Sequence, residues 1–428
     1  MYLPQCCSVS PNGRLLMDGL DVADIAREYG TPLYLMSEES IVSACRLFTD
    51  TLKAAYPGQS VTAYASKALS CKYILSLARR EGLWADVVSG GELYTALAAG
   101  FDPRNIIYHG NNKTEGELTY ALASGVGYFV ADSTRELYLL DELSGKAGAR
   151  PDVALRLKPG IEAHTHEYVQ TGKIDSKFGI PMETDEALRA AEIAAGMKNI
   201  SLAGLHCHIG SQIFISEPFV CAAQTLLRFA GQTGLPLRDV NIGGGFGIRY
   251  TDSQTPEDIS AMLAAAANAV VLAAGEQGLP LPRLMCEPGR SVVGPAGITL
   301  YTVGGVKHIP GVRTYVSVDG GMTDNIRHAL YGAEYTAALA ERMREPPDAA
   351  VTIAGRACES GDLIGTNMPL ANAKPGDILA IFATGAYNYS MASNYNRVPR
   401  PPIVVARGGR AEAVVRRETY EDLTRCDL

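Results

Sequence analysis

Eight short apolar runs, most of them followed by a helix-like stretch, restrict the fold of this chain more than any other feature. They are Val61–Ala65, Trp84–Val88, Ile106–Tyr108, Tyr128–Ala131, Val153–Leu157, Ala203–Cys207, Val240–Ile242 and Leu284–Cys286. Runs this short, bounded by Gly, Pro or polar residues, read as parallel strands buried on both faces. Between them, Cys71–Arg80, Glu92–Ala99, Glu115–Ser124, Thr134–Leu143, Asp185–Ala195, Pro218–Gln232 and Pro256–Ala274 are rich in Ala and Leu with charged faces, and read as helices. Strand–helix alternation repeated eight times predicts a (β/α)8 TIM-type barrel; a doubly wound open sheet is the rival.

The chain has 428 residues, enough for a barrel of about 250 residues and a smaller module. After residue 290 its character changes. Gly297–Val306, Arg313–Asp319, Ala349–Ala354, Asp377–Ala383, Pro402–Ala406 and Ala411–Arg416 place β-formers between Gly/Pro turns, which reads as an all-β domain. Leu33–Ser37 is a further strand-like piece. The expected division is an N-terminal segment, 1–36, packing with the β domain, a barrel over 37–287, and a C-terminal β domain over 288–428.

A net charge of −8 argues against a nucleic-acid partner, which requires a basic face. No apolar run reaches the about 18–20 residues that span a bilayer, and the start lacks the pattern of a secretory signal. Nine scattered cysteines with no CxxC pair fit reduced thiols in the cytoplasm rather than a disulfide framework.

In such a barrel, catalytic groups sit at the C-terminal ends of the strands. Lys67 ends the first run and Asp86 lies in the second; His109 and Asn111 follow the third, and Asp132 the fourth. Arg156 lies in the fifth, His208 and Ser211 follow the sixth, Gly243-Gly-Gly-Phe-Gly247 the seventh, and Glu287-Pro288-Gly289-Arg290 the eighth. A lysine in an apolar setting suits Schiff-base chemistry, although most lysines are simply solvated. A glycine cluster after the seventh strand offers backbone amides to a phosphate at a position these barrels use, or is only a tight turn. Glu287 beside Arg290 is either a surface ion pair or a carboxylate that keeps a pyridine nitrogen protonated. His206 and His208 share one strand face. With His164-Thr-His166 they raise a zinc site as a minor alternative, but no cysteine cluster or carboxylate trio supports it, and no metal is expected.

Tyr64-Ala-Ser-Lys67, His206-Cys-His-Ile-Gly-Ser211, Gly243–Gly247 and Glu287–Arg290 resemble the fold-type III pyridoxal-phosphate decarboxylases. Asp324-Asn-Ile-Arg-His-Ala-Leu-Tyr331, Cys358-Glu-Ser360, Ala386-Tyr387-Asn-Tyr-Ser390 and Thr171-Gly…Ser176-Lys-Phe-Gly-Ile180 narrow the resemblance to the diaminopimelate decarboxylases. It covers nearly the whole chain, with Leu69 departing from the asparagine common there. The resemblance implies a homodimer that uses pyridoxal 5'-phosphate to remove CO2 from the D-centre of meso-2,6-diaminopimelate, leaving L-lysine. It implies that Lys67 carries the cofactor, with His208 stacking on its ring, Asp86 near Lys67, Arg156 near the ring hydroxyl and Glu287 at the ring nitrogen. Ser211, Gly245, Gly247 and the Pro288-Gly289-Arg290 segment would hold the phosphate. Arg290, Arg327 and Tyr331 would bind substrate carboxylate, Glu359 the distal ammonium, and Tyr387 cofactor and substrate. Cys358 would donate the proton, reaching with Glu359 into the partner subunit's site. The rival activities are decarboxylation of ornithine, lysine, arginine or carboxynorspermidine; a racemase or a non-catalytic regulator fits less well.

Overall fold

A computed structural model describes residues 1–161, 176–234 and 237–428, in two compact units. The His164/His166 pair and Thr171-Gly172 lie outside the described residues.

The first unit spans Ala44–Gly247 and Pro256–Ser291. Its eight parallel strands are β1 (Ser60–Ala65), β2 (Trp84–Val87), β3 (Ile106–Tyr108), β4 (Tyr128–Ala131), β5 (Asp152–Lys158), β6 (Ser201–His206), β7 (Asp239–Asn241) and β8 (Arg283–Cys286). Each pairs with the next, and β8 returns to β1 through Leu284↔Ser60, so the sheet closes. All eight expected strands are present, and the open-sheet alternative is excluded. Alternation along the strands turns Ala63, Ile107, Tyr128, Val130, Ala154, Ala203 and Met285 into one buried interior cluster. Helix starts are fixed locally: Ser89 and Ser133 accept the N–H of Glu92 and Glu136, and Thr114 forms a capping box with Glu117.

The outer helix Ile259–Glu276 is long and apolar enough to cross a membrane by length and composition, contrary to the expectation that no segment is. The physical reason is its role in the barrel. Met262, Leu263, Ala266, Val270 and Ala273 are buried, and the helix packs on Glu217–Thr233.

The second unit comprises Met1–Ser43, Ile248–Thr255 and Val292–Leu428. Leu33–Ser37 lies between Gly297–Ile309, antiparallel, and Ile403–Arg407, parallel, so the N-terminal segment is built into the β sheet. Ile248–Thr255 follows the seventh barrel strand in sequence, yet Ile248 and Tyr250 join the β unit's core with Tyr301, Tyr335 and Ile381. The strand Leu363–Leu370 pairs with Ala349–Ala354 at the sheet edge and had no counterpart among the expected strands.

Candidate functional site

The strand ends of the barrel unit gather the residues that carry chemistry. Lys67 follows β1 in the short turn Ser66–Ala68 and is exposed, while Ser66 is anchored through its Oγ to Glu92 at 2.7 Å. The segment after β8 lies against this turn: Ala65 donates its N–H to Pro288 O at 3.0 Å, and a Cβ on Gly289 would stand 3.0 Å from the Cβ atoms of Ala65 and Ala68. Glycine is therefore what allows Glu287–Arg290 to approach Lys67's turn so closely.

Glu287 is buried. His109 Nε2 lies 2.7 Å from its Oε1, Asn241 Nδ2 2.6 Å from the same oxygen, and His206 Nε2 3.1 Å from Oε2. The two imidazoles outweigh the cost of burial and hold this carboxyl well below the usual carboxylate range. Asp86 has the opposite fate. Burial pushes it up to about 6, against the attraction of His109 and Lys67, and its Oδ1 has no hydrogen-bond partner among the described residues. His208 Nδ1 accepts the N–H of Gly244 at 3.2 Å, and burial followed by the charges of Lys67 and Arg156 drives its pKa well below the ordinary value, leaving a neutral ring. Arg156 is buried, 3.7 Å from Asp132 and stacked 4.4 Å over the Phe178 ring.

The glycine loop is tightly built. A Cβ on Gly244 would fall 2.2 Å from Glu287 O, and Gly245 has a φ of +109° and faces Gly210 O. Gly247 donates its N–H to Ile213 O at 2.9 Å, so it supplies close approach to the Ser211–Ile213 loop rather than a spare donor. Arg290 reaches that loop as well, with Nη2 donating to Ser211 Oγ at 2.9 Å.

The remaining expected site residues belong to the β unit. Arg327 is buried in a tyrosine cage. Its Nε donates to Tyr331 OH at 2.7 Å, and its Nη1 to Tyr335 OH at 2.6 Å and Tyr250 OH at 3.2 Å. Its guanidinium lies 5.1 to 5.5 Å over the rings of Tyr250, Tyr331 and Tyr335. Among the described residues it has no carboxylate partner, so its charge there meets only phenol oxygens and aromatic rings. Cys358 and Glu359 stand in a separate, exposed loop, and Tyr387 holds a φ of +65°. Sequence reasoning missed Tyr250 and Tyr335 altogether. It noted His109 at a strand end without a role and weighed His206 only as a minor zinc alternative, although their places at strand ends were the available signal.

A lysine beside an acid, a neutral imidazole, an ionised buried carboxylate and a glycine loop fit a phosphorylated pyridine aldehyde. Asp86 Oδ1 and Asp132 Oδ1, buried and without hydrogen-bond partners among the described residues, give such a group polar atoms to meet.

Comparison with known proteins agrees. Residues 38–294 match the family model "Pyridoxal-dependent decarboxylase, pyridoxal binding domain". The chain is 47% identical to diaminopimelate decarboxylase of Bacillus subtilis over 432 residues, covering 100% of this chain and 98% of that relative. Diaminopimelate decarboxylase from M. jannaschii, solved with L-lysine, superposes with a TM-score of 0.92 at 34% identity, covering 100% of this chain and 99% of that one. The Helicobacter pylori enzyme, also with L-lysine, gives 0.86 at 31%, covering 95% and 98%.

Proposed function

The chain belongs to the diaminopimelate decarboxylase family of pyridoxal-dependent decarboxylases, and from that premise we infer that it removes the D-centre carboxyl of meso-2,6-diaminopimelate to give L-lysine and CO2. The observation that carries this reading is Arg327: a buried guanidinium held by the hydroxyls and rings of three tyrosines, with no carboxylate partner among the described residues, suits a substrate bearing a carboxylate beyond the one that is lost.

Pyridoxal phosphate, when bound, supplies an electron sink for the carbanion left by CO2. Lys67 would hold it covalently through Nζ. Glu287 would face its ring nitrogen as an ionised carboxylate, and the neutral His208 ring would pack on the cofactor without adding charge. Ser211, Gly245, Gly289 and Arg290 would surround the phosphate. On the substrate side, Arg327 with Tyr331 would bind the distal carboxylate and Glu359 the distal ammonium. A substrate lacking those groups would leave both charges unpaired, which is the stronger form of discrimination. Cys358 Sγ would donate its proton to the carbon that has lost CO2, which requires a protonated thiol at that step.

Cys358 and Glu359 are exposed on the single chain, so we take them to complete the site of a second copy in a C2 homodimer. All nine cysteines are free thiols, in keeping with a cytoplasmic enzyme. The test is CO2 release by the cofactor-loaded protein from meso-, LL- and DD-diaminopimelate, L-lysine and L-ornithine, with Lys67→Ala as control. The meso isomer should be turned over far faster than the others. Preference for L-ornithine or L-lysine would overturn the reading in favour of a basic amino-acid decarboxylase.

A further inference from the structure

Glu287 ends the eighth barrel strand with both of its oxygens engaged from three other strand ends. His109 follows β3, His206 closes β6 and Asn241 closes β7. Their contacts with the carboxylate are 2.7, 3.1 and 2.6 Å, and all four residues are buried. A carboxylate that is ionised only accepts, so both imidazoles place a proton on Nε2. Asn241 is itself oriented, because its Oδ1 accepts the Gly243 N–H at 2.9 Å. The two imidazoles pack edge-on, with centroids 4.8 Å apart.

We propose that His109, His206 and Asn241 are positioning residues that clamp Glu287 as an ionised carboxylate and leave it room for one more N–H donor, the cofactor's ring nitrogen. This rests on the reading of Glu287 given above. A carboxylate has about four lone-pair directions, and three donors occupy three of them. Donors to the charged form favour that form, and the carboxyl is accordingly held low despite burial. Burial pushes His206 down to about 4, so its donor hydrogen bond adds no net charge near neutral pH. Asp86, with Oδ1 3.8 Å from His109 Nε2, is the pocket's other buried acid; burial pushes it up to about 6, so it is the one of the two that takes up a proton first as pH falls. Two carboxyls pushed apart in this way divide their roles. Lys67 and Arg156 are the cations that act on this group of residues, and Glu92 the further acid acting on Asp86. The same three ligand atoms of His109, His206 and Glu287 lie within 4.8 Å of one another, a spacing that a divalent cation could use; direct hydrogen bonds account for it here.

The chain has seven histidines, so selective 15N-imidazole labelling of the full-length protein, with and without pyridoxal phosphate, resolves them. His109 and His206 should both carry a proton on Nε2 between about pH 6 and 8, in both forms. An unprotonated Nε2 on either, or loss of both Nε2 protons on adding stoichiometric Zn2+ alone, overturns the clamp. Kinetics supply the second arm. His109→Leu and His206→Leu should lower kcat about ten- to hundredfold, the range implied by losing a hydrogen bond to a charged group, with KM little changed and the acid limb of the pH profile displaced upward. His109→Gln and His206→Gln, which keep a donor, should recover most of the loss. Equal losses for Gln and Leu variants with an unmoved acid limb would show a merely structural role and overturn the proposal. Intact imidazole signals together with full kcat in Glu287→Gln would overturn it differently, through failure of the ring-nitrogen reading.

Discussion

Asp362 and Ala357 are joined by a 2.6 Å hydrogen bond in which the buried carboxylate accepts the backbone N–H, one residue before Cys358. The other carboxylate oxygen accepts the N–H of Met322 at 2.5 Å, and Cys358 donates its own N–H to Asn396 Oδ1 at 2.7 Å. The backbone that carries the exposed thiol is thus fixed by Asp362 within the same loop and by Asn396 from further along the chain. Asp362→Ala orphans two N–H groups and should cost about 1–3 kcal/mol. Amide hydrogen exchange across 355–361 should accelerate and kcat should fall, while cofactor binding persists. Unaltered exchange in that loop would show that Asp362 does not anchor it.

The tyrosine cage of Arg327 makes a second case. Arg327→Met keeps much of the stem packing and removes the fork. Losing a charge-assisted hydrogen bond is worth about 1.5–3 kcal/mol, so kcat/KM for meso-diaminopimelate should drop about ten- to a hundredfold. Arg327→Lys should restore little, because a point ammonium cannot keep the contacts with Tyr250, Tyr331 and Tyr335 and also meet a carboxylate. An unchanged kcat/KM in Arg327→Met would remove Arg327 from substrate recognition.

Asp86 gives a pH dependence with a defined sign. Its folded pKa of about 6 stands above the ordinary 3.8, so the native cofactor-free protein binds this proton more tightly than the unfolded chain does. The stabilisation is present below about pH 4 and is lost as pH rises through about 6. Asp86→Asn mimics the protonated form. The cofactor-free variant should therefore be more stable than wild type at pH 7.5 by up to about 3 kcal/mol, with the difference shrinking toward pH 4. Chemical denaturation at several pH values checks this; a variant that loses stability as pH rises relative to wild type would contradict it.

A shared active site predicts complementation. Lys67→Ala and Cys358→Ala homodimers should each be nearly inactive. Random mixing makes half the dimers heterodimeric, each with one intact site, so activity should return to roughly a quarter of wild type. No recovery under conditions shown to exchange subunits would place Cys358 in its own chain's site.

Much of this arrangement was legible before the structure. Lys67, Asp86, His208 and Glu287 follow or sit in short apolar runs, and a barrel brings strand ends together whatever the helices do. The strand Leu363–Leu370 was not legible, because Gly365, Asn367 and Pro369 interrupt its pattern and are tolerated only at an edge. Tyr250 and Tyr335 gave no local signal either. Tyr250 follows the seventh barrel strand in sequence but packs in the β unit, and only the tertiary path brings it to Arg327. The contacts to Glu287 were half visible: His109 and His206 stood at strand ends, whereas Asn241 sat inside the apolar run Val240–Ile242.

Turnover should remove one carboxyl, that of the D-centre, while the L end is read. Carboxyl-labelled meso-diaminopimelate, labelled separately at each centre, tests it most directly. The loaded enzyme should release label only from the D-centre, with one CO2 per molecule of L-lysine formed. Label released from the L-centre, or D-lysine among the products, would contradict it.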